Sequence, residues 1–242
     1  MSGLRFQKFL SISEGFPYLD MPDGTEHCSD LNELPSTANT VQFIDPYEGV
    51  ERLPRLRRLR YLSLYDFEKK WLTHFEASSS LQILQLSHLV HETLPSFNKL
   101  IRLRVLILFR CHYLNSLRFL RGIKNLHSLC ISECLELESL TALSAVESLR
   151  ELWIDGAGRK AQKIKSLKPL QKLERLQYLQ LMVQLDKKEK NPLRPLASLP
   201  DLQELVLADR YSPAEYDYLL ESCPKLKRIR FPMKKQWPPK NK

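Results

Sequence analysis

The feature that most constrains this chain is a pair of apolar residues, two positions apart, that returns at nearly regular intervals. The second residue of each pair stands at position 43, 64, 86, 108, 131, 154, 181, 207 or 231, so that successive pairs are 21 to 27 residues apart. In most units further leucines precede the pair at every third position, as in Leu100, Leu103, Leu106 and Leu108. A period of this length indicates a repeat protein whose units stack on one another.

Each apolar pair predicts a short strand, because residues two apart in an extended chain point to the same side. The leucines at every third position before the pair predict a short or 3₁₀ helical turn on the outer side. A single unit cannot bury its own leucines, so neighbouring units must stack and share one core. Because strands pack more closely than helical turns, the sequence predicts a curved α/β solenoid with parallel strands on its concave side.

Five units carry an L-x-x-L-x-L pattern, namely LRVLILFRC, LHSLCISEC, LRELWIDGA, LQYLQLMVQ and LQELVLADR. They resemble the leucine-rich repeat family, and the resemblance covers about residues 31–232. Similar short, irregular repeats of about 22–27 residues occur in stand-alone bacterial members and at the sensor ends of plant immune receptors. Where the family often has Asn or Cys, this chain has Cys111 and Cys134, but its other units depart from that rule. The resemblance implies a leucine-rich-repeat solenoid and says almost nothing about the partner.

The repeat also divides the chain. We predict an N-terminal cap segment over residues 1–40, a leucine-rich-repeat solenoid over 41–232 and a flexible basic tail over 233–242. The segment SPAEYDYLLESCPKL predicts a short helix at 213–222 that caps the last unit. Two units are about four residues longer than the others, and their extra residues lie in 155–163 and 185–195. Both insertions follow a strand, so they should emerge from the same edge of the solenoid.

Composition limits where the protein works. The net charge is +9, and the first fifty residues are acidic while the remainder is strongly basic. No run approaches the length of a transmembrane helix, and the first residues lack a clean signal-peptide layout. Five cysteines do not form the dense framework of a small secreted domain. We therefore expect a cytoplasmic protein with no membrane partner.

The sequence shows no catalytic motif and no convincing metal or phosphate motif. His88 and His91 are three residues apart, with Cys111 and His112 one unit later, but a zinc site needs four converging ligands. The stretch Gly156-Ala157-Gly158 lacks the Lys-Ser/Thr ending of a phosphate loop. We therefore predict no enzymatic activity, no metal and no cofactor.

The concave face carries the functional prediction. If both residues of each apolar pair point into the core, the residues beside and between them point to the concave surface. Exposed apolar patches mark contact sites, and aromatic residues and Met with little Lys are typical of an interface core. The predicted partner-binding residues on this face are Tyr61, Tyr65, Ile83, Val105, Ile107, Phe109, Glu151, Trp153, Asp155, Tyr178, Met182 and Glu204.

We therefore predict a non-enzymatic module that recognises a partner protein through its concave face. Neutralising a toxin or effector is one role open to it, and a recognition adaptor in an immune or ubiquitin pathway is another. Nucleic-acid binding is a less favoured alternative, because the aromatic residues that would stack on bases lie on the other face. It would use the basic convex flank of Arg52, Arg55, Arg57, Arg58, Arg60, Lys163, Lys165, Lys168, Lys172 and Arg175.

Overall fold

The computed structural model describes residues 10–13, 16–19, 24–68, 71, 74, 80–156, 161–186, 188–208, 210–232 and 236–239. The strands are β1 (Leu10–Ser13), β2 (Phe16–Leu19), β3 (Glu26–Asp30), β4 (Thr40–Glu48), β5 (Tyr61–Tyr65), β6 (Ile83–Ser87), β7 (Val105–Phe109), β8 (Ser128–Ser132), β9 (Glu151–Asp155), β10 (Gln162–Ile164), β11 (Tyr178–Leu185), β12 (Glu204–Leu207), β13 (Ile229–Arg230) and β14 (Gln236–Trp237). The helix α1 spans Pro213–Ser222, and 3₁₀ turns span Leu31–Glu33, Val50–Arg55, Arg118–Leu120, Thr141–Ala145, Lys168–Lys172 and Arg194–Ser198.

The main sheet follows the order of the chain. From β3 to β9 each strand pairs in parallel with the next, and β11, β12 and β13 continue the sheet in parallel. The extra strand β10 pairs with β11, while β1 and β2 form a separate antiparallel pair. The predicted α/β leucine-rich-repeat solenoid, with one strand and one turn in most described units, is confirmed.

The repeated leucines form one continuous core along the solenoid. Leu106 lies opposite Leu84 on one side and Leu129 on the other, and all three are fully buried. Burying one such side chain contributes roughly 1.5–3 kcal/mol, which offsets part of the entropy lost when its unit becomes ordered. The outer turns close on themselves, as where the Leu56 N–H donates to the Leu53 carbonyl at 3.1 Å.

Both ends of the solenoid contribute strands to the sheet. At the start, β3 pairs with β4, so the sheet already begins inside the segment that we assigned to the cap. The predicted helix at 213–222 is confirmed as α1, and the hydroxyl of Ser212 accepts a hydrogen bond from the Glu215 N–H at its first turn. At the end, β14 pairs antiparallel with β13, so two residues of the segment predicted as a flexible tail form a strand, while 233–235 and 240–242 lie outside the described residues.

One of the two insertions extends the sheet. Of the residues predicted to form the first insertion, 157–160 lie outside the described part of the chain, but β10 follows them and pairs with the last residues of β11. As a result β11 is eight residues long, whereas the preceding strands β5 to β9 have five residues each. Among the described helices, none is both long enough and apolar enough to cross a membrane.

Candidate protein-binding face

The candidate site is the face of strands β5 to β12 that looks away from the leucine core. Strand pairing aligns its residues in three rows, and each row crosses the solenoid from unit to unit. The first row is Tyr61, Ile83, Val105, Ser128, Glu151, Tyr178 and Glu204; the second is Ser63, Gln85, Ile107, Cys130, Trp153, Gln180 and Val206; the third is Tyr65, Ser87, Phe109, Ser132, Asp155 and Met182. The structure therefore brings all of the predicted binding residues together in these rows.

The middle of this face is more buried than the sequence predicted. Val105, Ile107, Cys130 and Trp153 form an apolar cluster that is separate from the leucine core, and each is at most 5% exposed. Ile83 and Tyr178 pack against this group, which we call the concave cluster. The expectation of exposed apolar side chains is therefore wrong for Val105, Ile107 and Trp153. It is also wrong for Tyr61, which is 1% exposed.

Polar side chains beside the cluster bind one another. The Tyr61 hydroxyl donates to Gln85 Oε1 at 3.3 Å, and Gln85 Nε2 donates to the Ser87 hydroxyl at 3.2 Å. In the next units the Ser128 hydroxyl donates to Glu151 Oε2 at 2.7 Å. The bonds from Tyr61 and Ser128 link neighbouring units, and the bond from Gln85 lies within β6, so together they hold the floor of the concave face in one arrangement.

The Trp153 side chain is held by one hydrogen bond and one aromatic contact. Its indole Nε1 donates to Asp155 Oδ2 at 3.0 Å, and its ring stacks on Tyr178 with the ring centres 6.4 Å apart. Burial raises the pKa of Asp155 above its usual value, against the opposing effect of this hydrogen bond. Burial also raises the pKa of Tyr178 to about 12, so its hydroxyl stays protonated at neutral pH. This part of the face is an apolar platform with a polar edge.

A smaller set of the predicted residues remains accessible to a partner. Tyr65 is 46% exposed, which is the greatest exposure among the large apolar side chains of the three rows. Intermediate exposure is shared by the side chains around the concave cluster, which are Ile83, Phe109, Glu151, Tyr178, Met182 and Glu204. Glu204 also pairs with Arg230 at 3.0 Å. A partner would therefore meet a ring of aromatic and acidic side chains around a buried centre.

The structure adds residues that the sequence did not single out as binding residues. At the edge where the strands end, the ring of His88 lies 4.3 Å from the ring of Tyr65 and 5.9 Å from that of Phe109. The guanidinium of Arg110 lies 4.9 Å from the centre of the Phe109 ring, and its Nε donates to Glu133 Oε2 at 2.9 Å. We call Tyr65, His88, Phe109, Arg110 and Glu133 the rim strip.

The backbone explains why the rim strip forms. Asp66, His88, Arg110 and Glu133 each follow a strand and have a positive φ of 50–58°. Each donates its N–H to the last carbonyl of the next strand, as where the His88 N–H reaches the Phe109 carbonyl at 2.9 Å. This conformation is uncommon for residues other than glycine, and its repetition places the side chains in one line. Their equal distance from each apolar pair was the signal in the sequence.

The cysteines of the described chain are buried. Cys111 and Cys134 are buried, and their thiols donate to the carbonyls of Leu86 and Leu108 in the preceding unit at 3.5 and 3.8 Å. All five cysteines lie in the described part of the chain and are free thiols. Among the described residues, no group of three or more His, Cys, Asp or Glu side chains could hold a metal ion.

Part of the predicted basic flank is already engaged within the protein. Arg52 Nη1 donates to the carbonyls of Leu31 and Asn32 at 2.7 and 2.5 Å. Lys165 pairs with Glu138 at 3.0 Å, and Lys168 lies 3.8 Å from the carboxylate of Glu189. The two carboxylates offset part of the positive charge that the flank could offer to a nucleic acid, and the carbonyls occupy hydrogen-bond donors of Arg52.

Comparison with solved structures identifies the fold. Internalin C2 from Listeria monocytogenes matches with a TM-score of 0.56 and 21% identity over 81% of this chain and 77% of its own. The chain has the leucine-rich-repeat fold. A second internalin from Listeria monocytogenes has a TM-score of 0.45 and 16% identity, over 80% of this chain and 60% of its own. A plant peptide hormone receptor in complex with RGF2 has a TM-score of 0.41 and 16% identity, and the match covers 81% of this chain and 35% of the receptor chain.

Comparison at the level of sequence gives no further relative. No protein-family model matches this leucine-rich-repeat chain, and no curated protein matches it significantly. The match to internalin C2 therefore establishes the fold, and the function has to be argued from the residues of this chain.

Proposed function

We propose that this leucine-rich-repeat protein is a non-enzymatic module that binds a partner protein through its concave face. The observation that carries the proposal is the register of strands β5 to β12, which gathers aromatic, apolar and acidic side chains into one surface. Aromatic residues and Met at the centre, with polar groups around them, are the usual composition of a protein interface.

The buried floor of the face supports the same proposal. Side chains that are already packed and hydrogen-bonded lose little conformational entropy when a partner docks, and such preorganisation strengthens binding. The concave cluster and the hydrogen bond from Ser128 to Glu151 provide this support. We therefore assign direct contact with the partner to the accessible residues and a supporting role to Val105, Ile107 and Trp153.

Tyr65 and Phe109 are the aromatic anchors that we expect the partner to bury. They lie in the same row on strands separated by only one other strand, and both contact His88. Glu151 and Glu204 would supply polar specificity at the opposite end of the strands. A partner that fits this arrangement presents an apolar surface flanked by basic or hydrogen-bond-donating groups.

The test compares a double variant with a matched control. Tyr65→Ala combined with Phe109→Ala should weaken binding by about 30-fold or more, because losing an aromatic hot spot costs about 2 kcal/mol. Tyr113→Ala is the control, since Tyr113 is 59% exposed but lies outside the strands. Capture from the native cell with quantitative mass spectrometry identifies the partner, and titration with the purified partner gives its Kd. Equal binding by both variants would contradict the proposal.

Two finer roles remain proposals. A neutralising module would abolish the activity of its partner in a one-to-one complex, whereas an immune or ubiquitin-pathway adaptor would bind its partner together with a third protein. Measuring the partner's activity and the stoichiometry of the captured complex distinguishes the two. We also propose a reducing cytoplasm as the compartment, and the five free thiols support it.

A further inference from the structure

A second surface lies at the other edge of the sheet, where the strands begin. Between the first units there is a pocket of about 470 Å³, lined by Arg57, Arg58, Arg60 and Arg102, with Ser80 and Gln82 among them. None of the described residues that line it is acidic. We call it the arginine pocket. It is separated from the rim strip by the length of the strands, and the concave-face proposal does not use it.

The side chains of the four arginines are exposed, and the described residues give their positive charge no acidic partner. Within the described part of the chain, none of their guanidinium groups forms an ion pair or a hydrogen bond. By contrast, Arg110 and Arg230 pair with Glu133 and Glu204. Like charges held together around one concavity create a positive potential that attracts an anionic ligand.

The backbone carbonyls of Arg60 and Gln82 at this edge accept hydrogen bonds from backbone N–H groups and not from the arginine side chains. The carbonyl of Arg60 accepts hydrogen bonds from the N–H groups of Gln82 and Ile83 at 2.8 and 2.9 Å. The carbonyl of Gln82 accepts from those of Arg104 and Val105 at 2.8 and 3.0 Å. These carbonyls are therefore directed along the sheet, and each guanidinium keeps its five N–H donors for water or a ligand.

We propose that the arginine pocket binds a compact anion that carries two or more phosphate groups. A phosphate ester has about 1.5–2 negative charges at pH 7, so two phosphates balance four guanidinium groups within a small volume. A ligand based on carboxylates would need four of them in the same space. The planar guanidinium also binds phosphate through two parallel hydrogen bonds, which favours arginine over lysine at such sites.

The surroundings of the pocket favour a compact ligand over a nucleic acid. No aromatic residue is among its described lining residues, whereas single-stranded nucleic acids are held by bases stacked on aromatic rings. Further along the same edge, Glu147 and Glu174 lie beside Lys172 and Arg175. Lys124 lies there as well, so the two carboxylates offset two of three positive charges, and the positive potential is weaker there than at the arginine pocket.

The test is calorimetric titration of the full chain with inorganic tripolyphosphate and, separately, with inorganic phosphate. Tripolyphosphate should bind more tightly than phosphate, and added salt should weaken it. Arg60→Gln with Arg102→Gln should reduce the affinity for tripolyphosphate at least about tenfold. Arg60→Lys with Arg102→Lys should reduce it less, because lysine keeps the charge but loses the paired hydrogen bonds.

A charge-matched control variant distinguishes specific binding in the arginine pocket from nonspecific electrostatic attraction to a basic protein. Arg121→Gln with Arg228→Gln removes the same charge from exposed positions outside the pocket and should leave the affinity nearly unchanged. Thermal unfolding without ligand checks that every variant folds, and only variants that keep the pocket should be stabilised by tripolyphosphate.

Four results would overturn the proposal. These are absence of tripolyphosphate binding, equal loss in the control variant, and tighter arginine-dependent binding of either a single-stranded oligonucleotide or a polyglutamate peptide. The oligonucleotide result would assign the pocket to nucleic acid, and the peptide result would assign it to an acidic protein segment. None of these four results bears on the proposed function, which the Tyr65 and Phe109 variants test separately.

Discussion

His88 and His127 are single residues whose surroundings disfavour the charged imidazolium. Burial lowers the pKa of His88, and the neighbouring Arg110 and His112 lower it further. Burial also lowers the pKa of His127, together with Arg150 in the next unit. A histidine whose pKa is lower in the folded state than in the unfolded chain binds fewer protons when folded. The folded state must therefore lose stability as the pH falls through the unfolded value of about 6.5.

This leads to a prediction about pH. Between about pH 7.5 and 5.5 the urea midpoint of the wild type should fall, and the fall should be smaller in a variant with His88→Asn and His127→Gln. Asn is suitable at position 88 because it tolerates the positive φ found there. Urea unfolding at several pH values, followed by circular dichroism, measures the effect. An identical pH dependence in the two proteins would contradict the assignment to these histidines.

The residue scale also shows what the sequence could and could not predict. Alternation along a strand predicts which face Ile107 occupies, and the structure agrees. It does not predict how closely Ile107 is covered, because its cover comes from Cys130 and Trp153 in later units. The role of His88 beside Tyr65 was missed for a similar reason, since the contact depends on a backbone conformation that repeats after each strand.

At the scale of one element, β7 is buried on both faces. Leu106 and Leu108 belong to the leucine core, and Val105 and Ile107 belong to the concave cluster. The strand therefore joins two apolar layers. The apolar residues on both faces of the stretch 105–109, three of which we predicted to contact a partner, correspond in the structure to packing on both sides.

The two layers of β7 can be tested by substitution. Leu108→Ala should destabilise the protein by about 2–5 kcal/mol, because it leaves a cavity in the core. Ile107→Ala should also destabilise it, by about 2 kcal/mol or more, if the concave cluster acts as a second core. Val90→Ala is the control: Val90 is 58% exposed, and exposed substitutions change stability by about 0.5 kcal/mol or less. Urea unfolding measures all three, and an Ile107→Ala variant that behaved like the control would contradict the second core.

The two longer units contain a strand pair that the sequence did not predict. The sequence located extra residues after two of the strands and predicted that both insertions emerge from the same edge, but it did not predict a strand pair there. In the structure β10, at the end of the first insertion, pairs with residues 183–185 at the end of β11, where the second insertion begins. Spacing within one unit cannot predict such pairing, because the partner lies in the next unit.

At the scale of the whole molecule, a solenoid has two open sheet edges, and exposed edges invite association with other chains. At the C-terminal end, β14 covers β13 in an antiparallel pair, and Trp237 Nε1 donates to Asp217 Oδ1 on α1 at 2.7 Å. The ring of Trp237 also lies 5.9 Å from that of Tyr216. The sequence suggested a flexible tail because the segment is basic and rich in proline, and the single Trp within it was the contrary signal.

The last prediction concerns this closing contact. Trp237→Ala should destabilise the terminal unit by about 1–2 kcal/mol, since it removes one aromatic contact with Tyr216 and one hydrogen bond to a carboxylate. Because repeats contact mainly their neighbours, amide exchange should quicken at Ile229–Arg230 while Val105–Phe109 stays protected. The exposed edge of β13 should also increase concentration-dependent association in light scattering. Lys227→Ala, at an exposed position nearby, is the control, and faster exchange throughout the solenoid or none at all would show that β14 is not the closing element.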